Sequence, residues 1–277
     1  MKSGAHGDCE AEGQKMRERL LSLAVVLFAW VGMHACDSPA IARAQEKQAE
    51  TATEPVPPKE EPRETYLGRQ IAPYMTYHGA GWLIRDSRNR EEATDRVIEQ
   101  LGLQPGMVLC DLGCGNGFYT LRFARQVAPR GLVYAVDIQP EMLQMLAART
   151  ARLRADSVKP VLGEVNNPQI PAAEIDMVFM ADVYHEFSHP QSMLYWIRRA
   201  LKPEGVIALV EFREEDPMVP ILPEHKMSKS QILKEFNANG LKLVREFNDL
   251  PWQHLMFFAR DDSPLKEIEA VPFAPAN

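Results

Sequence analysis

Three glycines alternate with other residues in the segment DLGCGNG, residues 111–117, directly after a short apolar run. Glycine lets a backbone turn tightly and lets a ligand approach closely, because no Cβ atom stands in the way. In an open α/β sheet, ligands bind at the carboxyl ends of the strands, which is where a loop in this position lies. The segment therefore predicts a nucleotide-binding loop between a strand and a helix.

An acidic residue follows this loop at a distance that suits the binding of a ribose. Asp137 ends the next apolar run, 22 residues after Gly115, where a carboxylate can accept hydrogen bonds from both ribose hydroxyls. The dinucleotide fingerprint G-x-G-x-x-G/A would instead place its last small residue at position 118, which is Phe118. NAD and FAD are therefore disfavoured.

A second pattern, His185-Glu186-Phe187-Ser188-His189, matches the H-E-x-x-H motif of zinc proteases. That chemistry needs both histidines on one face of a helix, with the glutamate as general base. Here the five residues follow a predicted strand directly, and the next residue, a proline, biases position 189 away from helical dihedral angles. We interpret the match as coincidence, keep the metalloprotease as the least favoured alternative, and predict no metal site.

Strands and helices alternate through the region that must position these residues, from about Thr65 to Arg260. Apolar runs predict strands at 107–111, 132–136, 159–162, 175–181, 206–211, 241–247 and 254–260. Helical spacing predicts helices at 118–128, 140–154, 191–201 and 228–239, and one further helix that begins at Asp86 or Ser87. This alternation predicts a three-layer α/β fold, with a mostly parallel sheet and helices on both faces. A short loop joins the last two strands, which predicts an antiparallel edge pair.

The G-x-G-x-G loop, with an acidic residue two positions before its first glycine, resembles motif I of class I S-adenosylmethionine-dependent methyltransferases. The resemblance covers about residues 66–260, because the segments 133–143, 161–190 and 194–212 are similar to later motifs of that family, although Glu204 replaces a usual glycine. The chain resembles the small-molecule branch that includes quinone C-methyltransferases. The resemblance implies a Rossmann-like methyltransferase fold, S-adenosylmethionine as cofactor and a small-molecule substrate.

The resemblance also implies roles for residues of the glycine loop. Asp111 would hold the ammonium group of the methionine, directly or through water. The backbone at four positions would pass close to the methionine and the ribose: Gly113, Cys114, Gly115 and Gly117. The alternative is that this segment is only a tight turn between a strand and a helix.

Four further positions match cofactor-binding positions of the family. Asp137 would bind the ribose diol, and Ile138 would pack on the adenine. Glu164 stands where the family commonly has an aspartate facing the adenine amino group, and Asp182 would face the methionine end.

Two residues after the fourth strand are candidates for catalysis. His185 suits a general base near neutral pH, and Glu186 would orient it or contact the substrate. The alternative for His185 is a structural hydrogen bond. Aromatic residues before the first strand, such as Tyr74 and Trp82, either cover the substrate or, as we expect, pack in a buried helix.

Composition limits the partners of the chain. Its 31 Lys+Arg and 38 Asp+Glu give a net charge of −7, so it lacks the broad basic field of a nucleic-acid-binding protein, and we predict no nucleic-acid partner. Hydrophobic residues make up 45% and charged residues 25%, which is typical of a globular domain and not of a protein with many membrane spans.

The two ends of the chain are expected to lie outside the domain. The apolar run 20–33 follows Arg17 and Arg19, which is typical of a signal peptide, so we predict that residues 1–44 are a cleaved signal peptide or a retained or lipidated anchor. We predict a disordered linker at 45–64, a methyltransferase domain at 65–260 and a flexible tail at 261–277.

Export, or membrane association through the N-terminal segment only, follows from the predicted signal peptide. Because S-adenosylmethionine is made in the cytoplasm, however, a cytoplasmic location stays open. A non-catalytic binding protein on the same fold stays open for the same reason.

Overall fold

The computed structural model describes residues 58–274 of the 277 in the chain. The predicted signal peptide or anchor (1–44), most of the predicted linker (45–64) and the last three residues lie outside the described residues. Within residues 58–274, every helix is too short or too polar to span a bilayer.

An eight-stranded sheet forms the centre of the described domain. A small hairpin of β1 (Thr65–Tyr66) and β2 (Arg69–Gln70) precedes it. The strands of the sheet are β3 (Val108–Leu112), β4 (Leu132–Asp137), β5 (Val158–Leu162), β6 (Ile175–Ala181), β7 (Leu201–Arg213), β8 (Lys226–Met227), β9 (Leu241–Phe247) and β10 (Gln253–Arg260). The strand order is β5-β4-β3-β6-β7-β10-β9, with β8 paired to β7. All pairs are parallel except those of β10, which runs antiparallel to β7 and β9, so the predicted antiparallel edge is confirmed.

Helices cover both faces of this sheet. They are α1 (Arg88–Glu92), α2 (Thr94–Leu101), α3 (Thr120–Val127), α4 (Pro140–Leu153), α5 (Pro190–Ala200) and α6 (Lys229–Ala238). Side chains alternate between two apolar cores along each strand: Leu109 packs in the core with α2 and α3, whereas Cys110 packs in the core with α5 and α6. The predicted three-layer α/β fold is therefore confirmed.

The region before β3 differs from the prediction. The single helix expected from Asp86 or Ser87 is broken into α1 and α2 at Ala93, whose φ of 49° is left-handed. Before it, two short 3₁₀ turns replace a buried helix, and Tyr74 and Trp82 are about half exposed at 52% and 47%. The expectation of buried packing for these two aromatic residues is therefore wrong.

The end of the described chain makes defined contacts, and the flexible tail at 261–277 stays a prediction. The amide of Ile268 donates to the carbonyl of Leu243 at 2.9 Å. The amide of Val271 donates to Glu246 at 2.7 Å, and the buried Lys229 ammonium donates to the Val271 carbonyl at 2.6 Å. The segment therefore lies beside the edge strand β9, which contacts it through the Leu243 carbonyl and the Glu246 side chain.

Candidate active site

The glycine loop leaves the carboxyl end of β3 in a conformation that side chains rarely adopt. Gly113 and Gly115 have left-handed φ angles of 73° and 53°. A Cβ atom at Gly113 would lie 2.5 Å from the side chain of Val183, and one at Gly115 would lie 2.5 Å from the side chain of Leu83. Glycine at these positions keeps the loop close to its neighbours and open to a ligand.

Asp137, the last residue of β4, is joined to this loop. Its Oδ2 atom accepts a hydrogen bond from the amide of Gly115 at 2.9 Å, and its Oδ1 atom accepts one from the amide of Gln139 at 2.9 Å. Burial raises the pKa of Asp137, against the lowering effect of these amide bonds. The carboxylate and the glycine loop therefore form one unit at the carboxyl edge of the sheet.

A cavity of about 1050 Å³ lies beside this unit. Small-molecule sites commonly enclose about 300–1,000 Å³, so this cavity has room for a nucleoside and a second small molecule. Most of the site residues predicted from the sequence line it: Gly113, Gly115, Asp137, Ile138, Glu164, Asp182, His185 and Glu186. The structure thus brings together residues that are up to 73 positions apart in the sequence.

The remaining predicted residues, Asp111, Cys114 and Gly117, are not among those that line the cavity. The hydroxyl of Thr120 donates to Asp111 at 2.5 Å, and burial raises the pKa of Asp111 to about 7. Cys114 packs with Ala135 in a small apolar cluster. Asp111 and Cys114 thus lie in supporting positions next to the loop, and the ammonium contact expected for Asp111, directly or through water, stays a prediction.

Asp182, directly after β6, is held by a residue of β10, two strands away in the sheet. The side-chain amide of Gln253 in β10 donates to both of its carboxylate oxygens, at 3.0 and 2.7 Å. Burial raises the pKa of Asp182, while the positive charge of Arg88 lowers it. Arg88 itself is paired with Glu92 at 2.8 Å and lines the cavity. Nothing in the sequence indicated the contributions of Gln253 and Arg88.

His185 lies in a 3₁₀ turn, Tyr184–Glu186, and is held by a buried carboxylate. Its Nδ1 atom lies 2.6 Å from Oε2 of Glu211, and the other oxygen of Glu211 accepts from the amides of Tyr184 and His185. Burial lowers the pKa of His185, but the charge and hydrogen bond of Glu211 outweigh burial, so the pKa is raised. On the other side of the ring, Nε2 lies 3.0 Å from Nδ1 of His225.

Glu186 lines the cavity and also contacts the segment before α1, residues 74–84. Its Oε1 atom accepts from the amide of Met75 at 3.0 Å, and burial raises its pKa to about 7. Gln139 holds the same segment, because its side chain accepts from the amide of Tyr77 at 2.7 Å and donates to the carbonyl of Met75 at 3.0 Å. Met75 and Trp82 line the cavity, so this segment forms one of its walls.

The geometry of residues 185–189 does not fit the zinc-protease motif. His189 has φ and ψ of −128° and 63° and lies just before α5, and its Nδ1 atom pairs with the hydroxyl of Ser188 at 2.9 Å. The two histidines therefore do not share a helix. The histidine that does lie next to His185 is His225, which follows 40 residues later at the end of a 3₁₀ turn, Pro223–His225, without a recognisable motif. One feature of the sequence could have singled out Glu211 as a functional residue: it is the charged residue in the otherwise apolar run 206–212.

Comparisons with known proteins agree with this geometry. A family model described as a methyltransferase domain matches residues 103–254. Nocamycin O-methyltransferase of Saccharothrix syringae is 31% identical over 114 residues, which are 41% of this chain and 41% of that protein. A ubiquinone/menaquinone biosynthesis C-methyltransferase of Cupriavidus taiwanensis is 32% identical over 117 residues, which are 42% of this chain and 47% of that protein. The matched part thus spans less than half the length of these curated relatives.

A solved structure shows the same fold over a longer stretch. The crystal structure of an S-adenosylmethionine-dependent methyltransferase from Aquifex aeolicus has a TM-score of 0.63 and 25% sequence identity, and the match covers 67% of this chain and 98% of that one. The family model covers more than half of the chain. The resemblance read from the sequence is therefore confirmed, and this chain belongs to the class I S-adenosylmethionine-dependent methyltransferase family.

Proposed function

We propose that this protein transfers the methyl group of S-adenosylmethionine to a small molecule bound in the same cavity. The observation that carries the proposal is the 2.9 Å hydrogen bond between Asp137 and the amide of Gly115. This bond joins a buried carboxylate to a glycine-rich loop at one wall of a cavity that His185 and Glu186 also line. Family membership supports the same reaction.

The residues at this wall fit S-adenosylmethionine. Gly113 and Gly115 line the cavity without side chains of their own, so a ligand could approach the loop backbone closely. Asp137 would bind the ribose diol, while Ile138 and Glu164, which line the cavity, would meet the adenine. When bound, the cofactor supplies an electrophilic methyl group on its sulfonium.

The chain's own residues would bind the acceptor and receive its proton. Methyl transfer is an in-line displacement, so the enzyme contributes chiefly by holding the nucleophilic atom in line with the methyl group. His185, Glu186 and His225 form a polar wall on which the nucleophilic group of the acceptor would bind. This wall would take up the acceptor's proton, which is the role of a general base.

Apolar side chains lie on another part of the cavity and support an acceptor with an apolar body. They are Phe187, Met193, Phe212, Ile221 and Leu222. The named relatives methylate oxygen in one case and carbon in the other. Either kind of acceptor atom is therefore compatible with this proposal.

Two measurements test the proposal. Calorimetry should show that the purified protein binds S-adenosylmethionine and its demethylated product. Transfer of a labelled methyl group to small molecules extracted from the parent cell should then require His185, so that His185→Ala retains binding and loses turnover. Binding without any transfer would support the non-catalytic alternative, and no binding would contradict the proposal.

We also infer that the N-terminal segment directs export or holds the chain at a membrane. The apolar run 20–33 after Arg17 and Arg19 supports this location. Cell fractionation with N-terminal sequencing tests it. Exported protein that begins at Gln45, or protein retained in the membrane fraction, supports the inference, whereas intact protein in the cytoplasmic fraction contradicts it.

A further inference from the structure

Three potential metal ligands converge at the polar wall of the cavity. The ligand atoms of His185, Glu186 and His225 all lie within 4.8 Å of one another. The nitrogen atoms Nε2 of His185 and Nδ1 of His225 are 3.0 Å apart, with the two rings nearly perpendicular at 87°. Two nitrogens bound to one tetrahedral zinc ion would be separated by about 3.3 Å, given Zn–N bonds of about 2.0–2.1 Å. The two imidazoles therefore stand close to the separation that a shared cation requires.

A carboxylate behind His185 fixes which of its nitrogens faces the cavity. Oε2 of Glu211 lies 2.6 Å from Nδ1, and the other oxygen of Glu211 is occupied by backbone amides. With the proton on Nδ1, the Nε2 atom carries a lone pair directed away from Glu211. Histidines that bind metals commonly donate their other ring N–H to a carboxylate in this way.

Glu186 completes the set and retains a free oxygen. Its Oε1 atom accepts from the amide of Met75, and no donor among residues 58–274 bonds to its Oε2 atom. The carboxylate lies within 4.8 Å of the ligand nitrogens of the two histidines, within reach of a cation that they hold. All three residues line the cavity, so a ligand position of the cation would remain open to a bound molecule.

We infer that His185, Glu186 and His225 bind one divalent first-row transition-metal ion of the zinc type. Two imidazoles and one carboxylate, with an open position, form a common donor set for catalytic zinc and for related metals. Binding of the metal does not depend on methyl transfer. Its consequence rests on the proposed function: the open position faces the place of the acceptor, so the cation would bind the acceptor's nucleophilic group. With the metal bound, Nε2 of His185 is a ligand, so the acceptor's proton would leave to solvent and would not be taken up by His185.

This site differs from the zinc-protease motif in its residues. The motif would use His185 and His189, whereas the proposed site uses His185 and the distant His225. His189 lies in another local conformation and is bonded to Ser188. Comparing variants at His189 and His225 therefore distinguishes the zinc-protease motif from the proposed metal site.

The test uses the full-length protein without an affinity tag, stripped with a chelator and then titrated with zinc ions. Calorimetry and elemental analysis should show one zinc ion per chain. Cobalt ions should give a visible absorption band that zinc abolishes. His225→Ala should weaken zinc binding at least 10-fold, and Glu211→Gln should weaken it by about 10–100-fold. His189→Ala should bind zinc like the wild-type protein.

Binding of S-adenosylmethionine, measured on each variant, shows whether the variant is folded and keeps this test separate from the proposed function. Zinc binding that is absent from the wild-type protein, or that is lost in His189→Ala and retained in His225→Ala, would overturn the inference. In the first case the two imidazoles are simply hydrogen-bonded to each other. Zinc binding to a protein that does not bind S-adenosylmethionine would leave the metal site in place and remove the proposed function.

Discussion

His185 and Glu211 form a hydrogen bond in which both side chains are almost completely excluded from solvent. Nδ1 lies 2.6 Å from Oε2, and the two side chains are 2% and 0% exposed. His185 follows β6 and Glu211 belongs to the adjacent strand β7, so the pair connects the ends of two neighbouring strands. Glu211 does not line the cavity. Its effect on any bound molecule is therefore exerted through His185.

Glu211→Gln should lower turnover about 10–100-fold without changing the affinity for S-adenosylmethionine. The amide keeps the shape of the carboxylate but loses the charge that orients His185, and loss of such an orienting partner commonly has this effect. Turnover and calorimetric affinity are the two measurements. Glu215→Gln is the matched control, because Glu215 holds His254 in a similar pair at 2.8 Å. An equal loss of turnover in both variants would contradict the role of Glu211.

Gly115→Ala should weaken binding of S-adenosylmethionine at least 10-fold. The new Cβ atom would lie 2.5 Å from the side chain of Leu83. Either this side chain or the loop would have to move at the wall of the cavity. Gly102→Ala is the control, since Gly102 has a similar φ of 63° but no atom within 4 Å of its Cβ position. Both variants should lose about 1 kcal/mol of stability because of the left-handed backbone. Calorimetry should show unchanged affinity for Gly102→Ala, and equal affinities of the two variants would contradict the prediction.

Asp111 should make the free energy of unfolding fall as pH rises from about 4 to 7. Burial raises its pKa from 3.8 to about 7, so the folded protein binds this proton more tightly than the unfolded chain. The resulting stabilisation is complete below the unfolded pKa and is lost as pH rises through the folded pKa. The shift corresponds to at most about 4 kcal/mol.

Urea unfolding of the wild-type protein and of Asp111→Asn, at pH 5 and at pH 7.5, measures this effect. The asparagine does not titrate, so the wild-type protein should lose more stability between the two pH values than the variant. Equal losses would show that Asp111 is ionised in the folded protein throughout this range.

Lys229→Met should destabilise the protein by about 3 kcal/mol, because it leaves the carboxylate of Glu246 without its cation. The Lys229 ammonium donates to Glu246 at 2.8 Å, to Asn248 at 2.6 Å and to the carbonyl of Val271 at 2.6 Å. Lys266→Met, at an exposed position of the same terminal segment, is the control. Urea unfolding measures both variants. If both are as stable as the wild-type protein, the contacts of the terminal segment contribute little.

The fold and the cofactor wall could be predicted from the sequence because their signals are local. The apolar runs 107–111 and 132–136 correspond to β3 and β4 within one residue at each end. Parallel strands place their carboxyl ends at one edge, which is why Gly115 and Asp137 could be assigned to one site. The glycine spacing then identified the family.

The polar wall could be predicted only in part, because its partners are distant in the sequence. Glu211 and His225 lie 26 and 40 residues after His185, and no spacing rule joins them. The conformation of residues 74–84 could not be predicted, because their 3₁₀ turns carry no α-helical periodicity. The contacts of residues 261–274 could not be predicted, because they use backbone groups and the buried Lys229, which composition does not reveal.

Asp137, the buried carboxylate at the end of β4, is proposed to hold the ribose of S-adenosylmethionine beside the glycine loop. Titration calorimetry of the wild-type protein and of Asp137→Asn with S-adenosylmethionine tests it most directly. Hydrogen bonds to a charged group contribute about 1.5–3 kcal/mol each, so Asp137→Asn should bind at least about 10-fold more weakly. Glu174→Gln, at an exposed position, should bind normally. Equal affinities of the wild-type protein and Asp137→Asn would contradict the account.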